Sequence, residues 1–176
     1  MIRHHAGTAR LSALLFFAGV LALGCRPHRV DVAYAPREER LELIEALGAL
    51  GVRDTDYGER WSEAVEEAGS YAETATLPYA ETYTFDPMIP EARVLDLTLN
   101  ERGAYAFSLE AVTGGYVFMD LYRRNREEFV LAATRDPEIP EIVLDLRRRG
   151  EYRLVLQPEP LRGGMVRLRI ERPGEG

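Results

Sequence analysis

From Pro78 onward, apolar and polar residues alternate with a period of two, and the rhythm recurs without an intervening helical stretch. Leu95, Leu97 and Leu99 alternate with Asp96 and Thr98, and Tyr105, Phe107 and Leu109 alternate with Ala106 and Ser108. The pattern returns at Val117, Met119 and Leu121, at Ile142, Leu144 and Leu146, at Tyr152, Leu154 and Leu156, and at Val166, Leu168 and Ile170. Phe129 to Ala133 reads as a further strand and Thr82 to Asp86 as an eighth. Turn residues separate them: Asn100-Glu101-Arg102-Gly103, Gly114-Gly115, Asp136-Pro137, Arg149-Gly150 and Gly163-Gly164. A period of two sends successive side chains to opposite faces, so each segment reads as a half-buried strand. Short strands at this spacing predict a mainly β fold, an antiparallel β-sandwich of seven or eight strands over residues 78–176.

Ahead of Pro78 the period is near 3.6. Leu43, Ile44, Leu47 and Leu50 fall three and four residues apart behind Pro36, which predicts a helix from about Arg37 to Leu50 closed by Gly51. A second helix is expected from about Thr55 to Ala68, with Thr55 or Asp54 as cap and Trp61, Ala64, Val65 and Ala68 on one face. The sandwich is thus preceded by two short α-helices. Residues 36–77 hold 11 acids and 4 Arg, whereas residues 78–176 hold 17 acids and 14 Arg. This charge shift separates a helical subdomain, residues 37–77, from the sandwich.

Residues 1–24 open with Arg3, His4, His5 and Arg10 and continue into an apolar run from Leu11 to Leu23, the layout of a secretory signal peptide. The run is shorter than the roughly 20 residues a membrane-spanning helix needs. It ends in Leu21-Ala22-Leu23-Gly24-Cys25, which resembles the lipobox of bacterial lipoproteins and contains the only cysteine. The resemblance implies cleavage between Gly24 and Cys25, diacylglyceryl attachment to the Cys25 sulfur and acylation of the new amino terminus. The acyl chains would hold the mature protein on a membrane. Arg26, in place of Asp after the cysteine, resembles the outer-membrane class, so the expected location is the cell envelope, facing the periplasm. Residues 25–36, bracketed by Pro27 and Pro36 with no helical period, are expected to form the lipidated cysteine and a tether.

The net charge is −7 and all 22 basic residues are Arg, a balance that disfavours nucleic acid as a partner. The three histidines are His4, His5 and His28, so Ser/His and Cys/His pairs cannot form within the sandwich and no His/Cys set is available to a metal. No cofactor, metal or catalytic residue is expected, and the chain does not read as an enzyme. Carboxylates such as Asp96, Asp120 and Asp145 occupy strand positions that alternation turns outward. Tyr79, Tyr83, Tyr105, Tyr116 and Tyr152 could line a sugar-stacking face but stand at strand spacing, which fits a core better. If each strand crosses the sandwich, the loops after alternate strands gather at one end. Those loops carry Arg102, then Arg123, Arg124 and Arg126, then Arg147, Arg148 and Arg149. Planar guanidiniums suit carboxylate and phosphate partners, which makes this rim the candidate site for an anionic envelope ligand.

Four stretches taken in order carry a further resemblance. They are Gly51-Val52-Arg53-Asp54-Thr55-Asp56-Tyr57-Gly58-Glu59-Arg60-Trp61, Leu77-Pro78-Tyr79-Ala80-Glu81-Thr82, Val117-Phe118-Met119-Asp120-Leu121-Tyr122, and Gly150-Glu151-Tyr152-Arg153-Leu154-Val155-Leu156-Gln157-Pro158-Glu159-Pro160-Leu161-Arg162-Gly163-Gly164. Together they resemble the non-catalytic region that precedes the catalytic domain of lysostaphin-type envelope zinc peptidases. The sandwich is also similar to pre-peptidase C-terminal domains. The family's His and Asp zinc ligands have no counterpart here. The resemblance implies a lipid-anchored binding or positioning module linked to peptidoglycan remodelling, with peptidoglycan or a murein hydrolase as partner. Two alternatives remain: the front part of a longer zinc murein endopeptidase, or a glycan-binding module.

Overall fold

The computed structural model describes residues 29–30, 45–52, 54–135 and 141–172. The expected signal peptide, Gly24, Cys25, the rest of the tether apart from residues 29–30, residues 37–44 of the first expected helix and the Asp136-Pro137 turn lie outside these residues.

Residues 45–49 are helical (α1). Val52 N donates to Leu47 O at 2.9 Å and Gly51 N to Gly48 O at 3.0 Å, while Gly51 takes φ +69. This pair of bonds around a left-handed glycine satisfies carbonyls the helix end would leave unpaired. Leu50, grouped with the apolar face in the sequence, stands at the cap and is 76% exposed. Helix α2 spans Asp56–Ser70, capped by Thr55, whose side-chain oxygen accepts from Gly58 N at 3.2 Å. Asp56 and Glu59 in its first turn complement the positive end of the helix dipole. Trp61 and Ala64 are buried and Val65 and Ala68 half-buried, so the expected face is the packed one.

Ten strands follow the chain: β1 Arg29–Val30, β2 Glu73–Ala75, β3 Tyr79–Phe85, β4 Arg93–Leu99, β5 Gly103–Gly114, β6 Val117–Asn125, β7 Glu128–Thr134, β8 Glu141–Leu146, β9 Gly150–Pro158 and β10 Gly164–Glu171. All eight expected strands are present. They form two five-stranded sheets, sheet A in the order β1-β8-β5-β10-β3 and sheet B in the order β2-β4-β9-β6-β7. The fold is a β-sandwich. Its eight main strands pair antiparallel, and two short edge strands the alternation did not reveal, β1 on β8 and β2 on β4, pair in parallel. β1 falls within the expected tether and β2 within the stretch grouped with the helices. Two or three residues are too few to display a period, which is why neither is legible in the sequence.

The inner faces meet through Leu97, Leu99, Phe107, Met119, Leu121, Leu144, Leu154, Leu156, Leu168 and Ile170, each at most 2% exposed. On sheet B the residues between them are buried as well: Val94, Phe118, Val155 and Gln157 are each at most 4% exposed. Part of the outer side of this sheet is covered because α2 lies against it. Trp61 Nε1 donates to Pro158 O at 2.9 Å and Gln157 Nε2 donates to Trp61 O at 2.7 Å, two long-range bonds that fasten the helix to the end of β9. Two of the turn signals, Gly114 and Gly163, lie against other backbone. A Cβ on Gly163 would meet Phe85 O at 2.3 Å, and one on Gly114 would meet Gly163 O at 2.2 Å.

Trp61 is the only tryptophan, so its fluorescence reports the docking of α2. Trp61→Ala leaves a large void and an unpaired Pro158 carbonyl, and is expected to cost about 3–5 kcal/mol in urea unfolding. Two tyrosines set the alkaline limit. Burial, then the hydrogen bond to Tyr79 at 2.5 Å, hold the Tyr83 hydroxyl above the ordinary tyrosine range. Burial does the same for Tyr152, against the opposing charge of Arg123. A folded-state pKa above that of the unfolded chain means the unfolded tyrosines ionise first. Stability is therefore intact below about pH 10 and falls as pH rises beyond it. Tyrosinate absorbance should show two tyrosines that ionise only as the protein unfolds.

Candidate ligand-binding end of the sandwich

Strand register decides where the arginine loops lie. Leu99 pairs with Gly150, Gly103 with Leu146, Arg123 with Tyr152 and Asn125 with Glu128. The β4–β5, β6–β7 and β8–β9 loops therefore share one end of the molecule. Arg102, Arg123, Arg124, Arg126, Arg147, Arg148 and Arg149 are all exposed there. The end of β10 brings an eighth guanidinium that the loop count missed. Arg172 pairs with Glu101, and its Nη2 donates to Arg102 O at 3.2 Å. Its place follows only from β10 ending beside the start of β5.

The arginines are not equivalent. Arg124 Nε lies 3.1 Å from Glu151 Oε2, and its guanidinium covers the Phe129 ring at 5.0 Å. Phe129 also carries Arg153 at 4.3 Å, and Arg153 makes a two-pronged bond to Asp96 at 2.8 and 2.9 Å. That bond, against partial burial, raises the guanidinium's pKa further. Asp96, Arg153, Phe129, Arg124 and Glu151 thus form a ladder over the open part of sheet B, with Arg124 held in it. Arg102, Arg123, Arg126 and Arg147 to Arg149 are in no ion pair among the described residues. Arg126 sits in the β6–β7 turn at φ +61. A left-handed backbone costs a non-glycine residue roughly 1 kcal/mol, so the turn keeps a guanidinium where stability alone favours glycine.

Beside Arg172 a cleft of about 750 Å³ opens between the ends of β2, β4 and β10. Thr74, Thr76, Thr98, Asn100, Glu101 and Glu171 supply hydroxyl, amide and carboxylate groups, and Ala75, Leu77, Pro78 and Tyr105 supply apolar wall. The cleft gathers its polar residues from three separate segments, so no local motif announces it.

The other singled-out residues fall elsewhere. Asp120, placed outward by alternation, is only 1% exposed and accepts from Thr134 Oγ1 at 2.7 Å. Asp96 is tied to Arg153, and Asp145 stands on the other sheet. Tyr83, Tyr105 and Tyr152 are buried and Tyr79 and Tyr116 half-buried, so they form no open stacking face. Among the described residues, no three His, Cys, Asp or Glu side chains converge as metal ligands.

No protein-family model and no curated protein matches the chain. Among solved structures, the chain is similar to the pre-peptidase C-terminal domain of collagenase from Bacillus anthracis, with a TM-score of 0.47 and 14% identity over 57% of this chain and 94% of that one. It is also similar to PliG, a periplasmic lysozyme inhibitor of g-type lysozyme. The Aeromonas hydrophila protein gives a TM-score of 0.36 and 7% identity over 57% of this chain and 96% of that one. The Salmonella Typhimurium protein gives 0.32 and 12% over 57% and 98%.

Proposed function

We propose that this chain is a lipid-anchored binding module of the cell envelope, held on a membrane through acylated Cys25 and gripping peptidoglycan at the arginine end of its sandwich. The observation that carries the reading is the set of six exposed guanidiniums, from three loops and the end of β6, that have no carboxylate partner among the described residues of a chain whose net charge is −7. Peptidoglycan stem peptides present free carboxylates, the geometry a guanidinium fork matches. The neighbouring cleft, with its threonine hydroxyls and the Asn100 amide, suits the neutral polar parts of the same polymer. The module's role is to hold or position wall material, or a hydrolase working on it.

Sedimentation of the full-length lipoprotein in detergent with protein-free peptidoglycan sacculi tests this. The wild type is expected to pellet with the sacculi and to be released as salt rises, because exposed charges are screened over about 8 Å at physiological ionic strength. Combined Arg147→Glu, Arg148→Glu and Arg149→Glu should weaken retention at least tenfold without moving the melting temperature. Arg126→Gly should weaken it while leaving the protein as stable or slightly more so, since it relieves the left-handed strain. A wild type that stays in the supernatant, or a charge-reversed variant that pellets equally well, would sink the proposal.

A further inference from the structure

The end opposite the arginines holds three large apolar side chains out in water. Met88 is 71% exposed, Ile89 54% and Leu161 56%. They come from the β3–β4 and β9–β10 loops, which one hydroxyl ties together: Tyr57 Oη donates to Pro87 O at 3.1 Å and accepts from Leu161 N at 2.9 Å. Leu161 sits at φ +59, a strained conformation for any residue with a side chain. Strain thus presents an apolar group to solvent, the reverse of what packing selects. The nearby Asp86 and Glu91 carboxylates bind the loop's own backbone. Asp86 Oδ1 accepts from Met88 N at 2.8 Å, and Glu91 Oε1 accepts from Asp86 N at 3.3 Å.

The direction of β1 decides what meets this tip. β1 runs parallel to β8, and β8 runs toward the arginine end, so the first residue of β1, Arg29, lies at its tip-facing end. Cys25 is four residues earlier, at most about 14 Å of extended chain. Arg29 is level with Ala106 across β8, and Gly114, where β5 reaches the tip, is eight residues further on, roughly 27 Å. On a tether of this length the sandwich cannot stand upright with its arginine end away from the surface and its tip clear of it. With the tip about three strand spacings to the side, a lean of roughly 45° brings anchor and tip to one plane.

We infer that Met88, Ile89 and Leu161 seat in the interfacial layer of the phospholipid bilayer that holds Cys25, so that the arginine end points away from the membrane. This rests on the acylated Cys25 of the proposed function. Three side chains bind a bilayer weakly by themselves, so the tip orients an anchored protein and does not recruit it. Arg162 at the tip pairs with Glu159, and Asp56, Glu59 and Asp86 add further negative charge, a balance that matches a zwitterionic surface better than an anionic one.

The test uses the full-length lipoprotein in phosphatidylethanolamine/phosphatidylcholine vesicles. An environment-sensitive dye is attached through Met88→Cys, Leu161→Cys or Arg148→Cys, since the acylated native cysteine does not compete for the label. Nitroxide groups on the lipid chains are expected to quench the dye at positions 88 and 161 at least twofold more than at position 148. Mass analysis of the N-terminal peptide runs in parallel. A protein without acyl chains would overturn the anchor and this inference together. An acylated, vesicle-bound protein whose tip dyes stay as accessible to aqueous iodide as the dye at 148 would overturn this inference alone, as would tip dyes shielded only on adding an envelope extract, which would mark a protein partner.

Discussion

β9 lies at the centre of sheet B, and its register against β4 and β6 is the constraint on which the rest depends. Tyr152, Leu154 and Leu156 point into the sandwich, while Arg153 and Gln157 point the other way. A slip of one residue would send three buried apolar side chains to the outer face and bring a guanidinium and an amide into the core. Because that slip is so costly, Gly150 stays beside Leu99 and Tyr152 beside Arg123. The same pairings hold three arginine-bearing loops at one end. The charge cluster at the rim is thus a by-product of core packing, and no attraction among the arginines is needed to gather them.

The outer face of β9 is recruited in two ways. Toward one end, Gln157 and Pro158 receive Trp61, so a polar side chain with 0% exposure is satisfied by a helix nearly a hundred residues earlier in the chain. Toward the other, Arg153 is anchored by Asp96 and stacked on Phe129. The helix therefore covers one part of the sheet and the charged ladder occupies the other. The loops at the two ends diverge accordingly. One end is built from arginines in open turns. The other is built from glycine and proline turns packed backbone to backbone, with Met88, Ile89 and Leu161 left outside.

Much of this was legible beforehand. The period of two located all eight long strands, and Thr55 and Gly51 served as the expected cap and terminator. Exposure on the outer faces was not legible. Asp120 and Gln157 look like solvent residues in an alternating strand, and nothing local tells that the outer face of sheet B is covered. Arg172 was missed because it joins the rim through the end of a strand and not through a counted loop. Arg124 was grouped with the rim, yet Glu151 and Phe129 hold it in the ladder.

By itself the sequence determined the number and central segments of the long strands, the inward side of each, the helix caps and the lipobox-like run. These are local matters of periodicity, capping chemistry and residue order. Only the tertiary structure decided which strands are neighbours, that β1 and β2 extend the sheet edges, that α2 lies on sheet B, and which arginines have no ion pair among the described residues. It also decided that an apolar tip and a basic rim stand at opposite ends. These properties follow from contacts between segments tens of residues apart, where pairing register and buried hydrogen bonds, and not local pattern, set the energy.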